Sequence, residues 1–287
     1  MNTLLILSGT GALLTLLLTA AKPFVSGFLP ASWQRTVWIC VALLMLIPVY
    51  RLIPAHKPPQ IVIDAYTPVA DTIVQWSETE VERPATSDTT DVAKENTKPT
   101  PKPTAGDIAA GVWICGVLVY SGTVAMGYVR YRRYIKKSSR ILADTSVFDE
   151  TKTQLGIGRQ VSVYTVPGIQ SPMLMGLLRP AVYIPEMQLS PQSLAMVYLH
   201  ELTHCKRRDL LFKWLAVAVN AVHWFNPAAY ILCKRLGDAC ELACDEAVTR
   251  DMTDNDKKEY TKTILLLAEK GVEKQNDRKP LHHQNER

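Results

Sequence analysis

Long apolar runs alternate with strongly polar segments along the first half of this 287-residue chain. The apolar runs cover residues 3–21, 36–53 and 108–129. About 20 apolar residues in a helix span the hydrocarbon core of a bilayer, so each run has a suitable length. A secretory signal peptide is the alternative for the first run, but no positively charged segment precedes it, which favours a retained helix. The pattern therefore predicts a membrane protein.

The polar segments between the runs predict how the chain is divided and oriented. Residues 54–106 are acidic and rich in Pro and Thr, which is typical of a flexible linker. Residues 130–140 are rich in Arg and Lys, which marks the cytoplasmic side of a membrane helix and allows contact with lipid headgroups. We thus predict that the N-terminus lies outside. The predicted units are two transmembrane helices in 1–53, an extracytoplasmic linker in 54–106, a third transmembrane helix in 107–130, a cytoplasmic domain in 131–270 and a polar tail in 271–287.

Composition adds little to this picture. The formal net charge of +5 is too small to argue for a nucleic-acid partner. The chain has six cysteines, and none lies in the predicted extracytoplasmic linker, so no disulfide framework is expected.

The helix predicted to begin after Ser190 carries the motif His200-Glu201-Leu202-Thr203-His204. Residues four apart lie on one face of a helix, so His200 and His204 can bind the same Zn²⁺. Glu201 is then placed to take a proton from a zinc-activated water and to pass it to the leaving amine. The motif predicts one Zn²⁺ per chain, with Glu201 as the catalytic base. Two surface histidines on an ordinary helix are the alternative.

An acidic pair further along the chain offers the remaining parts of a zinc site. Glu241 is the candidate for the third ligand. Asp245, one helical turn later, is positioned to accept a hydrogen bond from a ligand histidine and to fix its tautomer. A solvated acidic face of a helix is the alternative for this pair.

The apolar segment 210–233 constrains that assignment. If it crossed the membrane once, Glu241 would lie on the opposite side from the two histidines. Pro227 interrupts the segment, and the residue before a proline disfavours the helical conformation. We therefore predict a helical hairpin in 210–236, re-entrant or packed in the core, that turns at 223–227. His223 in the turn is either a metal or substrate ligand or, as we favour, a hydrogen-bonded turn residue.

Residues 160–166 and 171–185 predict short strands from their β-branched and alternating composition. An edge strand beside a zinc helix can bind the substrate backbone by strand addition. Candidates for that edge strand lie in 173–178, and an internal core strand is the alternative. The four residues singled out are Met173, Leu174, Met175 and Gly176.

Together these features resemble the BlaR/MecR-type membrane metallopeptidases, which are antirepressor signal transducers of β-lactam resistance. The resemblance extends to about residue 270. Besides the paired N-terminal helices and the basic stretch, the matching motifs are Ser171-Pro172, Gly176, Arg179-Pro180, Tyr183-Ile184-Pro185, HELTH (200–204), Arg208-Asp209, HWFNP (223–227) and ELACDEAV (241–248).

The resemblance implies a mainly α membrane protein with a gluzincin-like α+β zinc peptidase domain, a small antiparallel sheet and a membrane-associated hairpin. It implies that His200, His204 and Glu241 bind the metal and that Glu201 is catalytic. The implied location is the bacterial cytoplasmic membrane, with the peptidase site facing the cytoplasm. The implied substrate is the chain itself or a cytoplasmic transcriptional repressor; a homodimer stays open, and no direct contact with nucleic acid is expected.

The sequence departs from the β-lactam sensors in one respect. It contains no Ser-x-x-Lys motif, so we expect a short form without the penicillin-binding sensor domain. Two other functions stay open: a membrane quality-control protease similar to the HtpX type, and a non-catalytic membrane receptor with a structural zinc.

Overall fold

The computed structural model of the chain describes residues 2–25, 28–48 and 104–276. Most of the predicted linker 54–106 and the predicted tail beyond residue 276 lie outside these residues. The helices are α1 (Asn2–Val25), α2 (Ala31–Leu46), α3 (Ala105–Ser138), α4 (Ser146–Gln154), α5 (Pro191–Arg207), α6 (Asp209–Val222), α7 (Pro227–Thr249) and α8 (Asp254–Asn276). The strands are β1 (Arg140–Ile141), β2 (Ser162–Val166), β3 (Met173–Met175) and β4 (Ala181–Pro185).

Two of the described helices, α1 and α3, are long and apolar enough to cross a membrane, with a mean hydropathy of 2.0 and 1.8. Both carry large apolar side chains on their surface; Leu13 is 61% exposed and Leu118 is 66% exposed. Contiguous exposed apolar surface of this kind is unfavourable in water and favourable against lipid. These two helices are therefore the candidates for membrane spans.

The helix α2 is shorter than the predicted span 36–53. It starts five residues earlier, at Ala31, and ends at Leu46, two residues before Pro48. Proline disfavours the helical conformation in the residue that precedes it, which accounts for the early end. The early start places Arg35 inside the helix rather than before it.

The third helix is longer than predicted. Instead of 107–130, it covers Ala105–Ser138 and includes most of the basic cluster. Thr104 and Asp107 form a reciprocal capping box that fixes its first turn. The helix thus runs without a break from its apolar N-terminal half to the start of the sheet.

The chain reverses direction between α6 and α7, in the segment where the sequence predicts a turn. Pro227 occupies the first turn of α7, and the Asn226 side chain accepts a hydrogen bond from the backbone N–H of Ala228 at 2.9 Å. The two helices pack against each other as a hairpin. As a result, the end of α7 returns to the region where α6 begins.

Polar atoms at the hairpin tip bond to the N-terminal helices. Asn226 Nδ2 donates to the backbone oxygen of Ser8 in α1 at 3.0 Å and to its hydroxyl at 2.8 Å. His223 Nε2 donates to the backbone oxygen of Met45 in α2 at 2.9 Å. The indole of Trp113 in α3 donates to the backbone oxygen of Val222 at 2.9 Å. The tip is therefore attached to three helices at once.

The sheet is mixed, and the prediction of an antiparallel sheet is wrong. Its strand order is β1-β2-β4-β3, with β2 parallel to β4 and the other two pairs antiparallel. The parallel pair arises because β4, and not β3, is the strand of the β3–β4 hairpin that pairs with β2. This leaves β3 at the edge. Gly176 allows the tight turn of the hairpin, since it has a φ of 97° and a Cβ there would lie 2.4 Å from the Arg179 oxygen. One face of the sheet packs on α4 and α5 through a shared apolar core.

We expect Asn226→Ala to destabilise the protein by about 1–3 kcal/mol, because it removes a helix cap and the bonds to Ser8. Thermal unfolding in detergent, followed by circular dichroism, measures the effect. Ser8→Ala removes only one acceptor and serves as the control, with a smaller effect. Equal stability of Asn226→Ala and the wild type would contradict the role assigned to the tip.

Candidate metal centre

The two motif histidines and Glu241 come together where α5 meets α7. Nε2 of His200 and Nε2 of His204 lie 3.2 Å apart. Glu241 Oε2 lies 3.2 Å from His204 Nε2 and 3.7 Å from His200 Nε2. Three atoms that can each donate an electron pair thus face one another at short range.

This spacing fits a bound cation. Donors that share one tetrahedral zinc at about 2.0–2.1 Å stand roughly 3.3–3.4 Å apart. The three observed separations bracket that value. Three electron-pair donors this close would also repel one another unless positive charge lay among them. The residues present therefore suit a zinc ion.

A carboxylate fixes the orientation of the His204 ring. Asp209 Oδ2 lies 2.8 Å from His204 Nδ1, and Asp209 is only 1% exposed. A carboxylate accepts hydrogen bonds, so Nδ1 carries the proton and Nε2 keeps its electron pair. The break between α5 and α6 makes this contact, because Arg208 adopts a left-handed conformation with φ of 57° and turns Asp209 back onto His204.

The His200 ring is held by a tyrosine and a carboxylate. Its Nδ1 lies 2.7 Å from the Tyr260 hydroxyl of α8, and that hydroxyl donates to Asp245 Oδ1 at 2.6 Å. Asp245 Oδ1 itself lies 3.4 Å from His200 Nδ1. Since the tyrosine donates to the carboxylate, its oxygen accepts from His200 Nδ1, and Nε2 again keeps its electron pair.

The acid–base properties of the ligand candidates indicate the same demand for positive charge. Burial works to lower the pKa of His200 and His204, but hydrogen bonds to the surrounding acceptors raise the pKa of both. Burial works to raise the pKa of Glu241, yet its hydrogen bonds to the histidines hold that pKa well below the usual range. Lys213 Nζ lies 3.1 Å from Glu241 Oε1, which leaves Oε2 directed at the histidines. The site favours an ionised carboxylate beside a cation.

Cys244 is a competing third ligand, because its sulfur and atoms of His200 and His204 lie within 4.8 Å of one another. The sulfur stands 3.9 Å from Nδ1 of His200 and donates to the His200 backbone oxygen at 3.4 Å. Nδ1 is the nitrogen already bonded to Tyr260, on the opposite side of the ring from Nε2. The geometry therefore favours Glu241 over Cys244.

Glu201 lies beside these residues and is 8% exposed. Burial raises the pKa of its carboxyl, although the charges of His200 and His204 oppose the shift. A cavity of about 340 Å³ contacts Glu201, both histidines and Glu241. A buried carboxyl with a raised pKa is suited to taking up and releasing a proton.

The strand β3 borders this cavity through Met173 and Leu174. Met175 instead packs in a separate apolar cluster with Ile135 and Val166. Gly176 forms the turn after β3 and lines a neighbouring cavity of about 520 Å³. Leu174 and His204 contact both cavities, so the edge strand lies along one continuous cleft. His223 lies elsewhere, at the hairpin tip, fully buried and bonded to Met45.

Sequence comparison identifies the family of the chain. A sequence model of the family described as BlaR1 peptidase M56 matches residues 2–286. The chain belongs to the peptidase M56 family. The match covers both the N-terminal helices and the segment that forms the metal centre.

Individual relatives of this M56 chain include regulatory proteins. The regulatory protein BlaR1 of Bacillus licheniformis is 31% identical over 165 residues, which are 55% of this chain and 27% of that protein. The methicillin resistance mecR1 protein of Staphylococcus aureus strain Mu50 is 28% identical over 113 residues, 38% of this chain and 19% of the relative. The BlaR1 protein of Staphylococcus aureus is 23% identical over 169 residues, 55% of this chain and 28% of the relative. The M56 chain thus matches less than a third of the length of these relatives.

Sequence reasoning assigned no role to four residues of the M56 centre: Arg35, Asp209, Lys213 and Tyr260. Asp209 carries a usable signal, because it is an acidic residue directly after a basic helix end and close to a ligand candidate. Tyr260 has no such signal; the pattern of its helix indicates only an amphipathic packing element. Arg35 directly precedes the apolar run 36–53, and the pattern of that run carries no signal of its role.

We expect Tyr260→Phe to weaken binding of divalent metal by roughly tenfold, because outer partners of ligand histidines contribute at this level. Competition with a chelator measures the dissociation constant. Tyr230→Phe is the matched control, since its hydroxyl bonds only to the Trp224 backbone oxygen among the described contacts. Unchanged metal affinity in Tyr260→Phe would show that the hydroxyl does not orient His200.

Proposed function

We propose that this M56 chain is a membrane-embedded zinc endopeptidase of gluzincin type. In this proposal His200, His204 and Glu241 hold one zinc ion, and Glu201 is the catalytic base. The observation that supports it most is the convergence of three electron-pair donors at tetrahedral spacing beside a buried glutamate.

The side chains of the centre divide the chemistry among them. When bound, zinc supplies Lewis acidity toward a water molecule and the scissile carbonyl. Glu201 takes a proton from the attacking water at its carboxylate and later passes it to the leaving amine. Asp209 and Asp245 keep the imidazoles in the tautomer that leaves Nε2 available, and Lys213 holds the second oxygen of Glu241.

The strand β3 supplies a binding surface for an extended peptide. It pairs with β4 on one side, and its other side borders the cleft beside the two histidines. An extended substrate can add to that edge through backbone hydrogen bonds, which bind any sequence, while the cavities contact its side chains. Met173 and Leu174 are best placed for this contact, whereas Met175 and Gly176 shape the strand and its turn.

We infer that the centre faces the cytoplasm of a bacterium and that α1, α2 and α3 lie in the cytoplasmic membrane with the N-terminus outside. The basic end of α3 supports this orientation and suits contact with acidic lipid headgroups. The names of the regulatory relatives support a role in signal transduction. The proposed substrate is therefore a cytoplasmic repressor or the chain itself, within a monomer or a homodimer.

Metal analysis tests the centre directly. We expect about one zinc per wild-type chain purified in detergent, and loss of that zinc in His204→Ala and Glu241→Ala. If Glu241→Ala kept its full zinc content and Cys244→Ala lost zinc, Cys244 and not Glu241 would be the third ligand. Absence of zinc from the wild type would end the proposal.

The catalytic role needs a variant that keeps the metal. We expect Glu201→Gln to retain zinc but to abolish cleavage of the chain or its substrate in cells, a loss of at least about a hundredfold for a general base. Glu186→Gln, the same change at an exposed position, is the control and should cleave normally. Unimpaired cleavage or signalling by Glu201→Gln would favour the non-catalytic receptor. Capture of many unfolded membrane proteins by this variant would favour the quality-control protease.

A photo-crosslinking residue tests the edge strand. Ser171 is exposed and lines the cleft just before β3. We expect benzoylphenylalanine at this position, combined with Glu201→Gln, to crosslink to the substrate. The same residue at Ser162, which is exposed on β2 and does not line either cavity, should not. Equal labelling from both positions would contradict binding along β3.

A further inference from the structure

The N-terminal helix α2 makes a direct ionic contact with the metal centre. Arg35 Nη1 lies 2.8 Å from Asp209 Oδ1, while the other oxygen of the same carboxylate lies 2.8 Å from His204 Nδ1. A single buried carboxylate therefore joins a residue of an apolar helix to a metal-ligand candidate. Arg35 and Asp209 are separated by 174 positions in the chain.

The guanidinium contacts two residues of α6, Asp209 and Phe212. The Arg35 side chain is 18% exposed, and its Cζ stands 5.5 Å from the centre of the Phe212 ring, within the range of a cation–π contact. A second cation, Arg207, approaches the carboxylate only at 3.8 Å, beyond hydrogen-bond distance. Among the described residues, Arg35 is thus the strong ionic partner of Asp209.

Burial makes this partner necessary. Asp209 is 1% exposed, and a buried carboxylate is costly unless it is paired and hydrogen-bonded on both oxygens. His204 satisfies one oxygen and Arg35 the other. Arg35 thus fixes the second oxygen of the carboxylate whose first oxygen orients the imidazole.

A separate contact fixes the start of α2 without touching a ligand candidate. The backbone N–H of Ser32 donates to Glu246 Oε2 of α7 at 3.0 Å, so a carboxylate caps the first turn of α2. This contact holds α2 against the same body of the protein. A variant that removes this contact therefore distinguishes two causes of a change in metal affinity: a general effect of docking α2, and an effect that passes through Asp209.

We propose that Arg35 is a positioning residue for the metal centre: through Asp209 it orients His204, so metal affinity depends on the Arg35–Asp209 contact. The inference rests on the proposed zinc site. It gives a residue of an apolar helix a direct influence on the peptidase centre.

Zinc affinity of the full chain in detergent, measured by chelator competition, tests this role. We expect Arg35→Met and Asp209→Asn each to weaken zinc binding by about tenfold or more, as outer-partner changes do. Arg35→Lys should recover part of the loss, and Glu246→Ala, which removes the acceptor for the Ser32 N–H, should bind as the wild type does. Visible absorption of the Co²⁺-substituted protein should change in Arg35→Met, because it reports ligand geometry independently of cleavage.

The double variant Arg35→Met/Asp209→Asn decides whether the effect passes through the carboxylate. We expect it to bind zinc no more weakly than Asp209→Asn alone. Additive losses, a wild-type affinity in Arg35→Met, or an equal loss in Glu246→Ala would each overturn the inference. If Arg35→Met does not fold, Arg35→Gln takes its place in the same cycle. Absence of zinc binding by the wild type would instead refute the proposed function.

Discussion

The reversal of the chain at the tip of the α6–α7 hairpin is the constraint on which the metal centre depends. A single crossing of this apolar segment would separate Glu241 from the two histidines, whereas the hairpin returns it to them. The turn needs polar atoms in an apolar environment, and these atoms are expensive to bury without partners. Backbone oxygens and a hydroxyl of α1 and α2 accept hydrogen bonds from Asn226 Nδ2 and His223 Nε2 there. The N-terminal helices are therefore part of the folding of the centre as well as candidates for an anchor.

The two histidines of the centre are oriented in the same way: a carboxylate lies on the Nδ1 side of each imidazole. Asp209 does this directly for His204, and Asp245 does it with Tyr260 for His200. Each carboxylate is in turn bonded by a residue of a more distant helix, α2 in the first case and α8 in the second. The geometry of three atoms at the metal position thus depends on both ends of the chain. A short motif on one helix supplies the ligands, but it does not by itself supply their orientation.

Residue spacing predicted the local features well, because local geometry follows directly from helix periodicity and from proline. His200 and His204 share a face of α5, and Pro227 marks the turn before α7 for the reasons given by the sequence. The family assignment is confirmed over the whole chain. The prediction of an antiparallel sheet was wrong, because β4 and not β3 pairs with β2, and alternation within a strand carries no information about its neighbours. Arg35, Asp209 and Tyr260 were missed for a related reason: their roles arise from contacts between elements that are far apart in sequence.

The hairpin tip also has a consequence for the order of assembly during synthesis. Its hydrogen bonds join residues separated by 178 and 218 positions, so α1 and α2 leave the ribosome long before their partners exist. The acceptors on Ser8 and Met45 lie within helices that are already complete, which allows the early helices to persist alone. In the later hairpin, Asn226 Nδ2 and His223 Nε2 find their acceptors on those two helices. We therefore expect the hairpin to dock on helices that formed before it, and the metal-binding geometry to be among the last features of the protein to form.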